Sequence, residues 1–225
     1  MAPWAQLCIY ITRSQNPHFS AFLGPQYTDS EILSALTQHS DAIRFTLPDN
    51  IASEAARRLT FGEILGWFQG RMEYGPRALG HRSILASPLS KEMKDVVNDC
   101  IKHRERFRPF AGAVPLENVS DYFELDRASP YMQFVVPVKK EAENRIPAVV
   151  HFGTCRAQTV DQREDPLFHT LLREFEKLTG CPVLLNTSFN DADEPIVCSP
   201  IDAVRTFLRT ALDALVIGPF LVQRK

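Results

Sequence analysis

The sequence predicts an α/β or α+β domain built around one twisted sheet. Short apolar stretches alternate along the chain with amphipathic helical segments, a pattern typical of a sheet that is covered by helices. Of the 225 residues, 44% are hydrophobic and 23% are charged, which are ordinary globular values for a chain able to bury a substantial core. Neither an internal repeat nor a low-complexity linker divides the chain.

Helices are predicted where apolar residues recur at helical spacing behind a capping residue. Asp29 is expected to cap the first helix, with Ile32, Leu33 and Leu36 on one face. Ser199 is expected to cap the last helix, which opens with a proline. The predicted helices cover residues 30–39, 49–59, 90–106, 166–180 and 199–212.

Strands are predicted where apolar runs lie between turn signals. Residues 147–154 and 156–160 are predicted to form a strand pair around Gly153. Near the start of the chain, residues 4–12 are compatible with a strand, and residues 18–28 with extended chain that ends in a turn. The remaining predicted strands lie within residues 63–70, 82–87, 109–115, 131–138, 182–190 and 213–223.

Composition excludes several classes of protein. No apolar run approaches the ~18 residues of a membrane span, and the start of the chain lacks the features of a signal peptide. The five cysteines are scattered without a C-x-x-C pair, which indicates reduced thiols in a cytoplasmic protein rather than a disulfide framework. The six histidines have no metal-ligand spacing, so no protein metal site is expected.

Positive charge is concentrated in two segments of a chain whose formal charge is −2. The first, GRMEYGPRALGHRSILASP, carries Arg71, Arg77 and Arg82 between glycines. Its G-x-x-x-x-G spacing resembles a phosphate loop, but His81 and Arg82 stand where that loop needs lysine and a hydroxyl. Solvated arginines on a surface turn are the structural alternative. The aromatic residues that crowd this segment favour a pocket in which the arginines converge on one anion.

The second basic segment, KHRERFRPF, follows the predicted helix 90–106. Lys102 and Arg104 are explained equally well as cations that complement the helix dipole. Arg108, held between Phe107 and Pro109, is better explained by an anionic ligand. A third segment, LLNTSFND, has no positive charge but places polar side chains at the carboxyl end of an apolar strand, where open sheets bind ligands. Those polar residues are Asn186, Thr187, Ser188 and Asn190. They are equally compatible with an Asx or Ser/Thr turn.

Together with RAQTV and TGCPVLLNTSFNDADEPIV, the two basic segments resemble the C-terminal domain of the NodU/TobZ-type O-carbamoyltransferases, from about residue 22 to the end of the chain. The resemblance implies a YrdC-like twisted mixed sheet flanked by helices over residues 26–225, preceded by an extension or linker remnant at residues 1–25. It implies binding of ATP, Mg²⁺ and carbamoyl phosphate and formation of carbamoyl-adenylate. An N-terminal domain, for which this chain has no room, would then transfer the carbamoyl group to an acceptor hydroxyl compound.

The resemblance also assigns residues to roles. Arg77, Lys102 and Arg104 are expected to be catalytic, while Arg71, Arg82 and Arg108 are expected to bind substrate or nucleotide. The polar residues Asn186, Thr187, Ser188 and Asn190 are expected to bind substrate or nucleotide as well. Lys102–Arg104 and Ser188–Asn190 resemble the K-x-R and S-x-N signatures of YrdC proteins. Residues 191–195 depart from the glycine or basic residue of many relatives, which leaves nucleotide contact by that loop open.

A non-catalytic RNA-binding YrdC-like module is the competing hypothesis, because such domains have a basic concave face. The net charge of −2 argues against nucleic acid as a partner. A folded fragment with an inert pocket is the third possibility. The sequence does not specify the acceptor.

Overall fold

The computed structural model describes residues 20–192 and 194–225, and in them nine strands form one mixed sheet in the order β1-β9-β8-β2-β3-β7-β4-β6-β5. The pairs β2–β8 and β4–β6 are parallel and the other neighbours are antiparallel, which confirms the predicted mixed sheet. The strand suggested for residues 4–12 lies outside the described residues, as does most of the expected extension. The strands are β1 (Ile43–Thr46), β2 (Leu65–Phe68), β3 (Arg82–Ala86), β4 (Ala111–Pro115), β5 (Val135–Pro137), β6 (Thr154–Val160), β7 (Leu184–Ser188), β8 (Ala214–Ile217) and β9 (Phe220–Arg224).

Helices cover both faces of the sheet. On one face α2 and α6 pack together over Trp67 and the apolar residues of the central strands. On the other face α1, α3 and α7 cover a larger core that includes Phe189 and Phe207. The α-helices of the described chain are α1 (Asp29–Thr37), α2 (Ile51–Thr60), α3 (Glu92–Val96), α4 (Val119–Tyr122), α5 (Lys140–Glu143), α6 (Pro166–Thr179) and α7 (Pro200–Arg209). None of these helices is long and apolar enough to cross a membrane.

Three helix ends show how well the capping signals predicted boundaries. Ser199 caps α7 as predicted, and Gly180 ends α6 in the left-handed conformation at φ +73°. The prediction for α1 was wrong by one residue, because Thr28 is the cap and its hydroxyl accepts from the Glu31 amide in a capping box. Of the three residues predicted to share one face of α1, Ile32 and Leu36 are buried and Leu33 is 41% exposed.

The predicted helix 90–106 is much shorter in the structure. After α3 the chain makes one π-helical turn, Val97–Ile101, closed by the Lys102 amide donating to the Val97 carbonyl at 3.0 Å. His103 then adopts a positive φ of +44°. The Asn98 side chain donates to the Arg108 carbonyl at 3.2 Å and so holds the following residues in a loop. The cations of this segment therefore lie on a loop and not on the last turns of a helix.

Two further differences concern short strands. Strand β1 was not predicted, because its four residues carry no clear alternation between turn signals. In the predicted pair around Gly153, only the second strand forms, as β6. Pro147–Val149 is a 3₁₀ turn, and the contact between the two segments is reduced to a bridge between His151 and Thr154.

Candidate functional site

A cleft of about 840 Å³ opens at the edge of the sheet where β7 ends and β3, β4 and β6 begin. Its lining includes the loop before β3, the loop between α3 and β4, strand β6 and the polar end of β7. Five arginine and lysine side chains of the described residues line it, and it is called the cationic cleft below. They are Arg77, Lys102, Arg104, Arg108 and Arg156.

The floor of the cationic cleft is set by strand register. Ala111 pairs with Asn186 on one side and with Arg156 on the other, so the three residues form one row across β7, β4 and β6. Paired residues on neighbouring strands face the same side of the sheet. The small side chain of Ala111 therefore leaves space between an amide and a guanidinium that stand two strand spacings, about 10 Å, apart.

Lys102 is held at one wall of the cleft and is 5% exposed. Its ammonium group donates to the Ser188 carbonyl at 2.6 Å, the Asn190 carbonyl at 2.9 Å and the Asn190 Oδ1 at 2.6 Å. Burial, together with the positive charge of Arg104, lowers the pKa of Lys102 to about 7. The structure thus brings together the two short segments, 102–104 and 188–190, that are far apart in sequence.

Arg104 and Arg108 continue the same wall. Arg104 Nε donates to Asn98 Oδ1 at 2.7 Å, and its guanidinium lies 4.8 Å from the centre of the Phe110 ring. Burial and the neighbouring charge of Arg108 lower the pKa of Arg104 to about 10. Arg108 also lines the cleft and is exposed. These groups repel one another, which leaves the wall ready to stabilise an anion.

Arg77 and Arg156 also line the cleft, contributed by the loop before β3 and by β6. Arg156 donates to the Met132 carbonyl at 3.0 Å. Burial and the charge of Arg156 lower the pKa of Arg77. Charge repulsion between two guanidinium groups is relieved when an anion lies between them.

The expectation that Arg71, Arg77 and Arg82 converge on one anion is wrong, because only Arg77 lines the cleft. Arg82 is fully buried, its guanidinium 3.6 Å from the centre of the Phe68 ring, and it donates to the Gln69 carbonyl at 2.7 Å. Its Nη1 and Nη2 groups donate to backbone carbonyls inside the fold, while its buried Nε has no hydrogen-bond partner in residues 20–192 or 194–225. Arg71 is exposed and donates to the Leu23 carbonyl at 3.2 Å.

The polar residues at the end of β7 and just after it make two sets of contacts, one with Lys102 and one with Gln158. Ser188 and Asn190 are joined by a 2.6 Å hydrogen bond and face Lys102. Thr187 lines the cleft, as do Asn186, Ser188 and Asn190. Asn186 is 1% exposed and donates to Gln158 Oε1 at 2.7 Å, while its own Oδ1 accepts from no donor in residues 20–192 or 194–225. The turn and the ligand-binding interpretations of this segment are therefore compatible with each other.

Sequence reasoning missed three residues of this site. Arg156 is the first residue of RAQTV, one of the segments that carry the family resemblance. Its place in that segment was the signal that could have identified it. Gln158, two residues later, links Asn186 to the Leu79 carbonyl, to which it donates at 2.6 Å. Asn98 lies inside a predicted helix, where nothing in the sequence indicated a side chain that organises a loop. Within the described residues no group of three or more His, Cys, Asp or Glu side chains could hold a metal.

Two nodulation proteins show similarity across most of the chain. NolO of Bradyrhizobium diazoefficiens is 46% identical over 207 residues, which are 90% of this chain and 37% of NolO. NolNO of Sinorhizobium fredii is 43% identical over 217 residues, which are 95% of this chain and 32% of NolNO. The chain thus spans about a third of the length of these curated relatives.

Among solved structures, full-length HypF in its phosphate- and nucleotide-bound form has 16% sequence identity and a TM-score of 0.49, over 78% of this chain and 22% of HypF. Nothing about the ligands of this chain follows from a similarity at that level. The family described as Carbamoyltransferase C-terminus matches residues 56–224, a range that contains every residue of the cationic cleft named above. On that match, and on the identity with NolO and NolNO, the chain belongs to the carbamoyltransferase C-terminal domain family.

Proposed function

We propose that the cationic cleft binds Mg-ATP and carbamoyl phosphate and forms carbamoyl-adenylate. The observation that carries the proposal is the set of five cations around one cleft, in a chain whose formal charge is −2. The volume of about 840 Å³ lies within the range of small-molecule sites. Local positive charge of this kind suits a compact polyphosphate.

The proposed chemistry has two balanced steps. Water cleaves the bond between the carbamoyl carbon and the bridging oxygen of carbamoyl phosphate, which gives carbamate and phosphate. A carbamate oxygen then attacks the α-phosphorus of ATP. The new oxygen–phosphorus bond forms as the bond between the α-phosphorus and the α,β-bridging oxygen breaks, and pyrophosphate leaves with that oxygen.

Arginine and lysine side chains supply what this chemistry needs most. Attack by an anion on a polyphosphate brings several negative charges together, and fixed cations offset that repulsion in the transition state. Each hydrogen bond from a charged donor contributes about 1.5–3 kcal/mol. We assign Arg77, Lys102 and Arg104 to the reacting phosphate groups. Arg108 and Arg156 are assigned to orienting the substrates.

Magnesium fits this site through the nucleotide and not through the protein. The described residues contain no cluster of three acidic or imidazole ligands, although Asp99, Glu105 and Asp191 line the cleft singly. Mg²⁺ often keeps several waters and binds mainly to substrate phosphates. When bound there, it would supply further neutralisation of phosphate charge.

The acceptor half of the reaction is assigned to another part of a longer protein. NolO and NolNO are about three times as long as the matched region. We propose that a domain corresponding to their remaining length transfers the carbamoyl group to an acceptor hydroxyl compound, at a site in the cytoplasm.

Exchange of labelled pyrophosphate into ATP tests the proposed first half-reaction. The domain is expected to catalyse exchange only when carbamoyl phosphate is present, and to bind Mg-ATP saturably in calorimetry. Arg77→Ala is expected to abolish exchange with an unchanged thermal melt, because exposed substitutions usually change stability by less than about 0.5 kcal/mol.

Three outcomes would contradict the proposal or part of it. Folded wild-type protein that binds no Mg-ATP at millimolar concentration would rule out the nucleotide site. Exchange that does not depend on carbamoyl phosphate would rule out the carbamoyl substrate. Unchanged exchange in Arg77→Ala would remove Arg77 from the mechanism.

A further inference from the structure

Arg77 reaches the cationic cleft from a loop that has no helix or strand of its own. The loop runs from Glu73 to the start of β3 at Arg82. Gly75 has φ +126° and Gly80 has φ +116°, conformations that side-chain-bearing residues rarely adopt. The short segment that carries Arg77 is therefore bounded on both sides by glycines, and something other than secondary structure must fix its position.

The base of this loop closes on one carboxylate. Glu73 is 6% exposed, and its Oε1 accepts from three backbone amides: Leu79 at 2.6 Å, His81 at 2.8 Å and Arg82 at 3.1 Å. Hydrogen bonds to an ionised acceptor are about twice as strong as those between neutral groups. One buried oxygen at the start of the loop therefore binds three amides at its end. These hydrogen bonds hold the two ends of the loop close together.

Glu73 does not line the cationic cleft, so any effect on ligands must pass through the loop. The residue just before the first of the gathered amides, Ala78, does line the cleft, as does Arg77. The Ala78 carbonyl also accepts from Asn186 Nδ2 at 3.3 Å, which ties the loop to the floor of the cleft.

We propose that Glu73 is the positioning residue for Arg77: its carboxylate fixes the glycine-bounded loop so that the guanidinium of Arg77 is presented to the anion. The proposal rests on the proposed function, because it takes Arg77 to contact a bound phosphate. Glu73 was not among the predicted site residues and does not line the cleft.

A double-mutant cycle tests this coupling through Mg-ATP affinity, measured by calorimetry on wild type, Glu73→Gln, Arg77→Ala and the double variant. Glu73→Gln is expected to weaken binding about fivefold or more when Arg77 is present. It is expected to change affinity less than about twofold in the Arg77→Ala background. Equal losses in both backgrounds, or no loss in either, would overturn the proposal.

The control is Asp202→Asn. The Asp202 carboxylate accepts from the Ser199 amide at 2.8 Å and the Cys198 amide at 3.3 Å, but it does not line the cleft. This variant is expected to lower the melting temperature and leave Mg-ATP affinity unchanged. A comparable loss of affinity in Asp202→Asn would show that general destabilisation explains the result.

Hydrogen exchange provides a readout that does not need the nucleotide. Glu73→Gln is expected to speed exchange of the Leu79, His81 and Arg82 amides about tenfold, while Asp202→Asn leaves them unchanged. Unchanged hydrogen exchange at these amides would overturn the positioning role of Glu73, whether or not wild type binds Mg-ATP. Absence of Mg-ATP binding by wild type would contradict the proposed function alone.

Glu73→Asp, which keeps the charge but withdraws it by one methylene, replaces Glu73→Gln in both measurements if the latter does not fold. If neither variant folds while Asp202→Asn does, Glu73 is required for folding as a whole. That outcome would overturn its specific link to Arg77.

Discussion

At the scale of one residue, Lys102 is a buried cation in the wall of the cationic cleft. Its ammonium is surrounded by oxygens of Ser188 and Asn190, and burial with the nearby charge of Arg104 lowers its pKa to about 7. An anion bound in the cleft would favour the charged form of the lysine. Binding of a phosphate group and protonation of Lys102 should therefore be linked.

The expected result is that Mg-ATP affinity falls as pH rises above about 7, by up to about tenfold per pH unit. The sign follows because the free protein loses the Lys102 charge in this range, so that binding must take up a proton. Calorimetry in two buffers with different ionisation heats measures that uptake directly.

Matched variants separate Lys102 from the other cations. Lys102→Met should bind more weakly below about pH 7 and lose the steep decline above it. Arg108→Met should also bind more weakly but keep the decline, since an arginine stays charged across this range. A decline that persists in Lys102→Met would assign the titration to another group.

At the scale of elements, the loop before β3 is packed directly on α6. An added Cβ at Gly80 would lie 2.5 Å from Phe168 Cδ1, and Phe168 is fully buried in the first turn of α6. The loop before β3 and helix α6 are thus in van der Waals contact. Position 80 requires glycine for two reasons: its φ is positive, and the Phe168 ring leaves no space for a Cβ atom.

Gly80→Ala should lower the free energy of unfolding by about 3 kcal/mol or more, because the backbone and the aromatic ring must both move. Gly180→Ala is the matched control: it also has a positive φ, +73°, but an added Cβ there meets nothing within 4 Å. It should cost about 1 kcal/mol. Denaturant unfolding of both variants measures the difference, and equal losses would show that the contact with Phe168 is unimportant.

At the scale of the whole molecule, charge is distributed unevenly. A formal charge of −2 coexists with five cations at one edge of the sheet. A surface that binds a long polyanion spreads its cations along a track, whereas this arrangement surrounds one concave site. The distribution favours a compact ligand over RNA.

Salt dependence distinguishes the two ligands. Mg-ATP affinity should fall less than about tenfold between 50 and 200 mM salt. A single-stranded RNA oligonucleotide, if it binds at low salt, should lose its affinity over the same range, since proteins that make many phosphate contacts lose about 10³-fold or more. Tight, saturable RNA binding at the higher salt would favour the nucleic-acid module instead.

The sequence by itself determined the mixed sheet, most helix and strand positions and the segments that form the cleft. Apolar periodicity identifies elements because each must bury one face, and the caps Ser199 and Gly180 act through their immediate neighbours. The family followed from the same segments, since their order and spacing are specific. Arg77, Lys102, Arg104, Arg108 and the polar end of β7 were all identified in this way.

Only the tertiary structure decided which of these residues meet. Arg82 and Arg77 look alike in the sequence, yet one guanidinium is buried against Phe68 and the other lines the cleft. The predicted helix 90–106 ends early, and the Asn98 side chain donates to the Arg106 and Arg108 carbonyls of the loop that replaces its last turns. Arg156 joins the site through the pairing of β4 with β6, a contact between distant segments. The spacing of apolar residues indicates which face of one element is buried. Which site residues meet in the cleft depends on strand register and on the geometry of the loops between elements.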